Sequence, residues 1–193
     1  MNRRQALVCG CSLIAATATA TAKTTPSNRT HMDTNTKPVL SAISLERHEL
    51  AMREAIKAAA ANPAYPFGAV MTHARTGQLM SSGANSSGLN PTFHGEIVCM
   101  NNYVQQHGNK DWGELLLYTT GEPCPMCMSA LTWAGIGGVV YASSISAISR
   151  SGIRQIKLSA QSVIDAADFR RPELLGGVLE KECDEMFMQR KRT

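Results

Sequence analysis

The protein has 193 residues, of which 44% are hydrophobic and 18% charged, and its formal net charge is +4. This length and composition predict one globular domain and exclude wholesale disorder. An aromatic content of 5% and the small net charge disfavour a protein that coats nucleic acid, and six cysteines are too few for a disulfide-stabilised scaffold.

The first 22 residues have the three-part pattern of an export signal. Arg3 and Arg4 are their only charged side chains, an uncharged stretch follows, and small residues complete the segment. The arginine pair resembles a twin-arginine signal. We therefore expect a periplasmic or secreted protein, with residues 1–22 removed and no membrane span afterwards. The alternative is a wrongly chosen start codon, with Met32 as the true start and a cytoplasmic location.

Residues 23–41 are rich in threonine, asparagine and proline and poor in apolar residues. This composition is typical of a disordered linker, so we expect the folded domain to occupy residues 42–193. Loss of Arg3 and Arg4 with the leader lowers the net charge from +4 by two. The remaining basic residues are spread out, whereas neutralising several phosphates requires a clustered basic face. The sequence therefore argues against a nucleic-acid partner.

Helix and strand patterns alternate along the domain, which predicts an α/β sandwich with a partly parallel sheet. The predicted strands lie at 68–72, 78–83, 114–120 and 138–142. The predicted helices lie between Ser41 or Ser44 and Asn62, and at 94–106, 127–134 and 178–190. Residues 143–152 are expected to form a short helix or a loop. A further short strand and helix are expected within 156–166.

Two short motifs, each at the start of a predicted helix, carry the chemistry. They are His94-Gly95-Glu96 and Pro123-Cys124-Pro125-Met126-Cys127. Cysteines at i and i+3 share one face of a first helical turn, where free N–H groups and the helix dipole favour the metal-binding thiolate. With His94 they form an N/S₂ set suited to zinc, and three protein ligands leave a fourth position for water. Glu96 can then transfer protons as a general acid/base.

Each motif alone is a weak signal. A CxxC pair also occurs in redox proteins and structural zinc sites, and H-x-E occurs by chance. In combination, with a predicted strand between them, the motifs form the signature of zinc-dependent nucleobase deaminases. A thiol redox or zinc-binding protein is the alternative from another class, and it leaves His94 and Glu96 without a role.

On these motifs the chain resembles the cytidine and deoxycytidylate deaminase superfamily, and within it the branch of tRNA adenosine, guanine and fungal cytosine deaminases. The resemblance implies a three-layer α/β/α sandwich with a five-stranded mixed sheet, one zinc ion per chain and a homodimer or higher oligomer. The matching segments are PFGAV (66–70), GAN (83–85), PTFHGEI (91–97), LYTTGEPCPMC (117–127) and VVYA (139–142).

The resemblance also implies roles for four residues outside the motifs. Asn85 matches the position whose amide binds the base or ribose, Phe67 matches a wall of the pocket, and the backbone at Gly68 and Ala69 approaches the base. Gly95 departs from the family, most of whose members carry alanine there, although fungal cytosine deaminases also use glycine.

The implied reaction is the hydrolytic release of ammonia from a small molecule, namely an amino-substituted nucleobase, nucleoside or related heterocycle. Such an enzyme is a hydrolase acting on C–N bonds of cyclic amidines. A tRNA adenosine deaminase is the main alternative, which the export signal and the small charge disfavour, and a non-nucleotide deaminase on the same fold is another. Cys99 and Cys183 lie on apolar helix faces and are expected to be buried as small hydrophobic side chains.

Overall fold

The computed structural model describes residues 40–191. The predicted export signal and nearly all of the predicted linker lie outside these residues. The strands are β1 (Gly68–His73), β2 (Leu79–Ala84), β3 (Leu115–Gly121), β4 (Gly138–Ser143) and β5 (Glu173–Leu175). The α-helices are α1 (Leu45–Ala59), α2 (Gly95–His107), α3 (Pro125–Ala134), α4 (Ile145–Arg150), α5 (Ala160–Ala166) and α6 (Glu180–Met188).

The five strands form one mixed sheet in the order β2-β1-β3-β4-β5. β1 is antiparallel to both β2 and β3, whereas β3, β4 and β5 run parallel to one another. The parallel strands are connected by helices, since α3 joins β3 to β4, and α4 and α5 lie between β4 and β5. The predicted five-stranded mixed sheet is confirmed.

Helices cover both faces of the sheet, because side chains of the strands alternate between two hydrophobic clusters. Leu117 of β3 belongs to the cluster that packs under α2, α3 and α5. Its neighbour Tyr118 belongs to the cluster under α1 and α6. β3 lies in the middle of the sheet and all seven of its residues are buried. The three-layer α/β/α arrangement is therefore built around β3.

The position of the fifth strand differs from the prediction. Residues 156–166 contain α5 but no strand, and β5 lies at Glu173–Leu175. It pairs in parallel with the first half of β4, with Gly138 opposite Glu173. A strand of three half-buried residues is too short to produce a recognisable alternation of apolar and polar residues, so only its pairing with β4 defines it.

The described fold begins earlier than the predicted start of the domain at residue 42. A 3₁₀-helix spans Leu40–Ala42, and the Leu40 side chain is buried among the core residues under α1. The Leu40 amide donates to the Glu173 carboxylate at 2.6 Å, and the Leu40 carbonyl accepts from His48 Nε2 at 3.1 Å. Among residues 40–191, no helix combines the length and apolar character required to cross a membrane.

Candidate metal centre

Two helix N-termini present the metal-ligating side chains. His94 is the N-cap of α2 and Cys124 is the N-cap of α3, both with extended backbone. Neither side chain makes the capping hydrogen bond that this position usually provides, so both are available to a ligand. α3 begins at Pro125, two residues before the predicted start, because proline has no N–H to lose in the first turn.

The geometry of the three predicted ligands fits a zinc ion. The two cysteine sulfurs are 3.7 Å apart, and His94 Nδ1 lies 3.5 Å from Cys124 Sγ and 3.6 Å from Cys127 Sγ. Tetrahedral ligation at about 2.3 Å for sulfur and about 2.0 Å for nitrogen separates two sulfurs by about 3.8 Å and a sulfur from a nitrogen by about 3.5 Å. The donor atoms therefore already lie at the spacing that one tetrahedral ion requires.

The two thiols differ in acidity although they belong to one motif. Hydrogen bonds from the Cys127 thiol and the His94 ring to the Cys124 sulfur lower the pKa of Cys124 to about 4, against the effect of burial. The same hydrogen bond and burial raise the pKa of Cys127 above the ordinary thiol value. Cys124 therefore favours the thiolate form that a zinc ion would require, whereas Cys127 would have to lose its proton to bind the same ion.

Glu96, the second residue of α2, lies beside this cluster and is almost completely buried, with 3% of its surface exposed. Burial is the main reason that the pKa of Glu96 is raised to about 7, and the nearby Cys124 charge acts in the same direction. Hydrogen bonds with its own backbone N–H and with Cys127 oppose the shift and hold the carboxyl next to the sulfurs. This carboxyl is placed to exchange a proton with a molecule bound at the centre.

α2 approaches the sheet closely enough that two glycines are required. A Cβ on Gly95 would lie 2.8 Å from the Phe67 carbonyl oxygen, and a Cβ on Gly83 would collide with the backbone of Cys99 and with the Gly95 carbonyl. These contacts fix the N-terminus of α2, and with it His94 and Glu96, against β1 and β2. The departure from alanine at residue 95 therefore has a steric cause.

The four predicted substrate-binding residues divide into two groups. The Asn85 backbone N–H donates to the Phe67 carbonyl at 2.8 Å, and that carbonyl also faces Gly95. Asn85 and Phe67 therefore lie next to the start of α2. Gly68 and Ala69 lie within β1: the Gly68 amide donates to Thr120 Oγ1 at 3.1 Å, and the Ala69 side chain belongs to the core. Their backbone hydrogen bonds are largely taken by the sheet.

Glu122 is a structurally important residue for which the sequence indicated no role. Its carboxylate is buried and accepts two backbone hydrogen bonds at 2.9 Å, from Ile145 at the start of α4 and from Ala160 at the start of α5. It stands two residues before Cys124, so one side chain connects the metal-binding segment to both short helices. The sequence signal that could have indicated this role is the position of Glu122 directly before Pro123 of the second motif.

The remaining cysteines are separate from the metal centre. Cys99 and Cys183 are free and fully buried, which confirms the sequence prediction. Burial raises the pKa of each thiol to about 12. In the described part of the chain, His94, Cys124 and Cys127 form the cluster of His, Cys and acidic residues that could hold a metal ion.

Known proteins match the chain in sequence and in fold. Residues 45–143 match the cytidine and deoxycytidylate deaminase zinc-binding region. The chain is 35% identical over 80 residues to guanine deaminase of Bacillus subtilis, covering 40% of this chain and 50% of that protein. It is 32% identical over 132 residues to a tRNA-specific adenosine deaminase of Buchnera aphidicola, covering 66% of this chain and 77% of that protein.

The fold likeness extends to solved structures. The guanine deaminase of Nitrosomonas europaea superposes with a TM-score of 0.64 at 21% identity, over 72% of this chain and 81% of that one. At this level of identity the superposition supports the shared fold. The predicted resemblance to guanine, tRNA adenosine and cytosine deaminases is confirmed by relatives with each of these names.

Proposed function

The chain belongs to the cytidine and deoxycytidylate deaminase family, and from this premise we propose that it is a zinc-dependent hydrolase that releases ammonia from a small amino-substituted ring. The substrate class is a nucleobase, a nucleoside or a related heterocycle, and the bond broken is a C–N bond of a cyclic amidine. The observation that carries the proposal is the triangle of His94, Cys124 and Cys127 with the buried carboxyl of Glu96 beside it.

Each side chain at the centre has a distinct role in this reaction. His94, Cys124 and Cys127 hold one zinc ion, which when bound supplies Lewis-acid activation of water. Glu96 takes a proton from the attacking water while the water oxygen bonds to the ring carbon that bears the amino group. Glu96 then delivers a proton to that amino group, the C–N bond breaks and ammonia leaves. One water is consumed and one ammonia is produced.

We assign recognition of the ring to residues around the start of α2. The Asn85 side chain contacts a polar edge of the ring and the half-buried Phe67 forms an apolar wall. Phe67 is itself supported by the Phe187 ring of α6, whose centroid is 4.9 Å away. The backbone at Gly68 and Ala69 approaches the ring from β1, where its strand pairing keeps it in a fixed position.

The reaction is tested with purified protein and an ammonia-release assay on adenine, guanine, cytosine, their nucleosides and small amino-heterocycles. Glu96→Gln preserves the shape of the side chain and is expected to lower turnover by at least about 10²- to 10⁴-fold, because proton transfer is lost. Its zinc content should match that of the wild type. The control Glu114→Gln changes an exposed carboxylate that contacts His73 and should leave the rate unchanged.

Three outcomes would contradict the proposal. Near-normal turnover by Glu96→Gln would refute the role of that residue. Purified protein without zinc would refute the metal centre. Inosine formation in the anticodon loop of tRNA, with strongly salt-dependent tRNA binding and no reaction on free rings, would favour the alternative of a tRNA adenosine deaminase.

The expected homodimer forms part of the same proposal. The Trp133 side chain on α3 is 77% exposed and contacts the Phe169 ring in a tilted arrangement, with ring centroids 4.6 Å apart. The two rings line an apolar groove of about 320 Å³ between α3 and α5, which begins at Pro125 next to the metal ligands. A second copy of the chain is the proposed occupant. Trp133→Lys should then lower the mass measured by light scattering to that of one chain.

We also propose export to the periplasm or beyond through the twin-arginine-like leader. A CxxC pair that emerges unfolded and metal-free into an oxidising compartment readily forms a disulfide. Folding and zinc loading before transport avoid this reaction. Replacing Arg3 and Arg4 with lysine should therefore retain active protein in the cytoplasm. Equal export of the double variant, or an uncleaved wild-type chain in the cytoplasm, would contradict the proposal.

A further inference from the structure

Asn62, which precedes β1, contacts the main polar residue of the proposed substrate site. Asn62 Nδ2 donates to the Asn85 backbone carbonyl at 3.0 Å and to Asn85 Oδ1 at 3.2 Å. Neither sequence motif contains Asn62, and no role for it follows from the metal centre. Its position between the end of α1 and Asn85 nevertheless allows it to act on the orientation of that side chain.

Backbone groups fix the orientation of the Asn62 amide. The Tyr65 backbone N–H donates to Asn62 Oδ1 at 3.1 Å, and an N–H can only donate. The Asn85 backbone carbonyl can only accept, and it contacts Asn62 Nδ2. Since each end of the amide meets a group with a single hydrogen-bonding role, the alternative in which oxygen and nitrogen exchange places would break both hydrogen bonds.

The Asn85 amide is fixed in the same way. Its Oδ1 accepts from Asn62 Nδ2, from the Ser87 backbone N–H at 3.2 Å and from Ser87 Oγ at 2.9 Å. With three donors around it, this oxygen has no capacity left for a substrate. Asn85 Nδ2 makes no hydrogen bond within residues 40–191. The residue as a whole is only 7% exposed, but Nδ2 remains accessible to solvent. The part of Asn85 that remains available is therefore a donor.

The loop that carries Asn62 is anchored from the far end of the chain. The Lys191 backbone N–H donates to the Pro63 carbonyl at 3.1 Å, and Arg190 Nη1 donates to the Ala64 carbonyl at 3.2 Å. The Arg190 guanidinium also lies over the Tyr65 ring, 5.7 Å from its centroid. These contacts hold the loop whose Tyr65 amide orients Asn62.

We propose that Asn62 is a positioning residue, which together with Ser87 restricts Asn85 to donating from Nδ2 and thereby selects rings with a hydrogen-bond acceptor at the edge that faces Asn85. The inference rests on the proposed deaminase function and narrows its substrate class. The acceptor in question is a ring nitrogen that carries no hydrogen. A ring with C–H at that point leaves the buried donor of Asn85 without a partner, which weakens binding.

The test compares each ring that the wild type deaminates with analogues in which one ring nitrogen is replaced by C–H. The panel consists of guanine, adenine, cytosine and their nucleosides with the corresponding deaza compounds. For the wild type, one replacement should raise KM by about tenfold or more, the cost of one lost hydrogen bond in a buried site. Asn62→Ala should raise KM for the parent ring about tenfold with kcat within about twofold, and the same deaza replacement should then have little further effect.

Asn102→Ala is the matched control, because Asn102 Nδ2 also donates to a backbone carbonyl, that of Ser82 at 2.8 Å, without contacting Asn85. It should leave KM unchanged, and also the deaza penalty, which is the rise in KM caused by replacing the ring nitrogen with C–H. Zinc content and melting temperature of Asn62→Ala should stay close to wild type, which separates positioning from a general loss of structure.

The results separate the two hypotheses. If the wild type deaminates a ring and Asn62→Ala keeps both its KM and its deaza penalty, the positioning role is wrong while the deaminase function stands. If Asn62→Ala loses kcat and zinc together, its role is structural and the inference is equally wrong. If the wild type releases ammonia from no ring in the panel, the proposed function itself fails, and the inference fails with it.

Discussion

The metal-binding region and the C-terminal third of the chain are held together in different ways. In the first, each ligand takes its position from the helix that it begins: His94 caps α2, and Cys124 caps α3 with Cys127 one turn later. In the second, α4, α5 and α6 have six, seven and nine residues, lengths that are not stable as isolated helices.

The short elements of the C-terminal third depend on partners that are distant in sequence. Glu122 accepts from the first residues of α4 and α5, and Lys191 and Arg190 bind the loop that precedes β1. The chemistry of this protein is therefore encoded locally, whereas the support of the proposed pocket is not. Substitutions in the two regions should therefore have different consequences for zinc and for stability.

The largest effect is expected from Cys127→Ala in the metal-binding region. Removal of a ligand should lower zinc affinity by more than the roughly 10- to 100-fold that loss of an outer-shell partner costs, and stability falls because zinc binds the folded state. Metal analysis and thermal unfolding with and without a chelator measure both effects. Cys183→Ala is the control, since this buried thiol belongs to the core under α1 and α6. Zinc retained by the Cys127 variant would refute the ligand set.

The next effect is expected from Gly83→Ala, which tests how tightly α2 is fixed to the sheet. The new methyl group meets backbone atoms of Cys99 and Gly95, which cannot rotate away. Such overpacking costs about 1–3 kcal/mol and here should reach at least the upper end. Denaturant unfolding and zinc affinity should both decrease. Gly88→Ala, where nothing lies within 4 Å of the added carbon, is the control, and equal behaviour of the two variants would contradict the steric explanation.

A smaller effect, confined to stability, is expected from Glu122→Gln. The amide keeps one acceptor but replaces the other with a donor that faces a backbone N–H, at a cost of about 1.5–3 kcal/mol for a hydrogen bond to a charged group. Unfolding should shift while zinc content stays constant, because the hydrogen bonds of the Glu122 carboxylate go to the starts of α4 and α5 and to none of the three ligand side chains. Glu54→Gln alters an exposed ion pair with Lys57 and should shift stability by less than about 1 kcal/mol. Loss of zinc in Glu122→Gln would contradict the division between the regions.

The ligands and the principal helices could be predicted because the signals were local. The start of α1 follows from the capping preference of Ser44. The proline after Cys124 favours the start of α3, although the predicted start was two residues later, and α3 ends as expected at Gly135 with φ at 75°. Strand β3 could be found because a strand buried on both faces reads as a continuous apolar run. The pairing of β5, the burial of Leu40 and the role of Glu122 left no such pattern.

By itself, the sequence determined the donor set, the helices that present it and the alternation of elements that makes a mixed sheet, since each depends on residues within one or two turns. The tertiary structure alone decided that the donor atoms lie at the spacing of one zinc ion, that Gly83 and Gly95 allow α2 to touch the sheet, and that Asn62 fixes the amide of Asn85. These contacts join residues that are distant in the chain. They form only when the whole chain folds, which costs the entropy of closing the intervening loops.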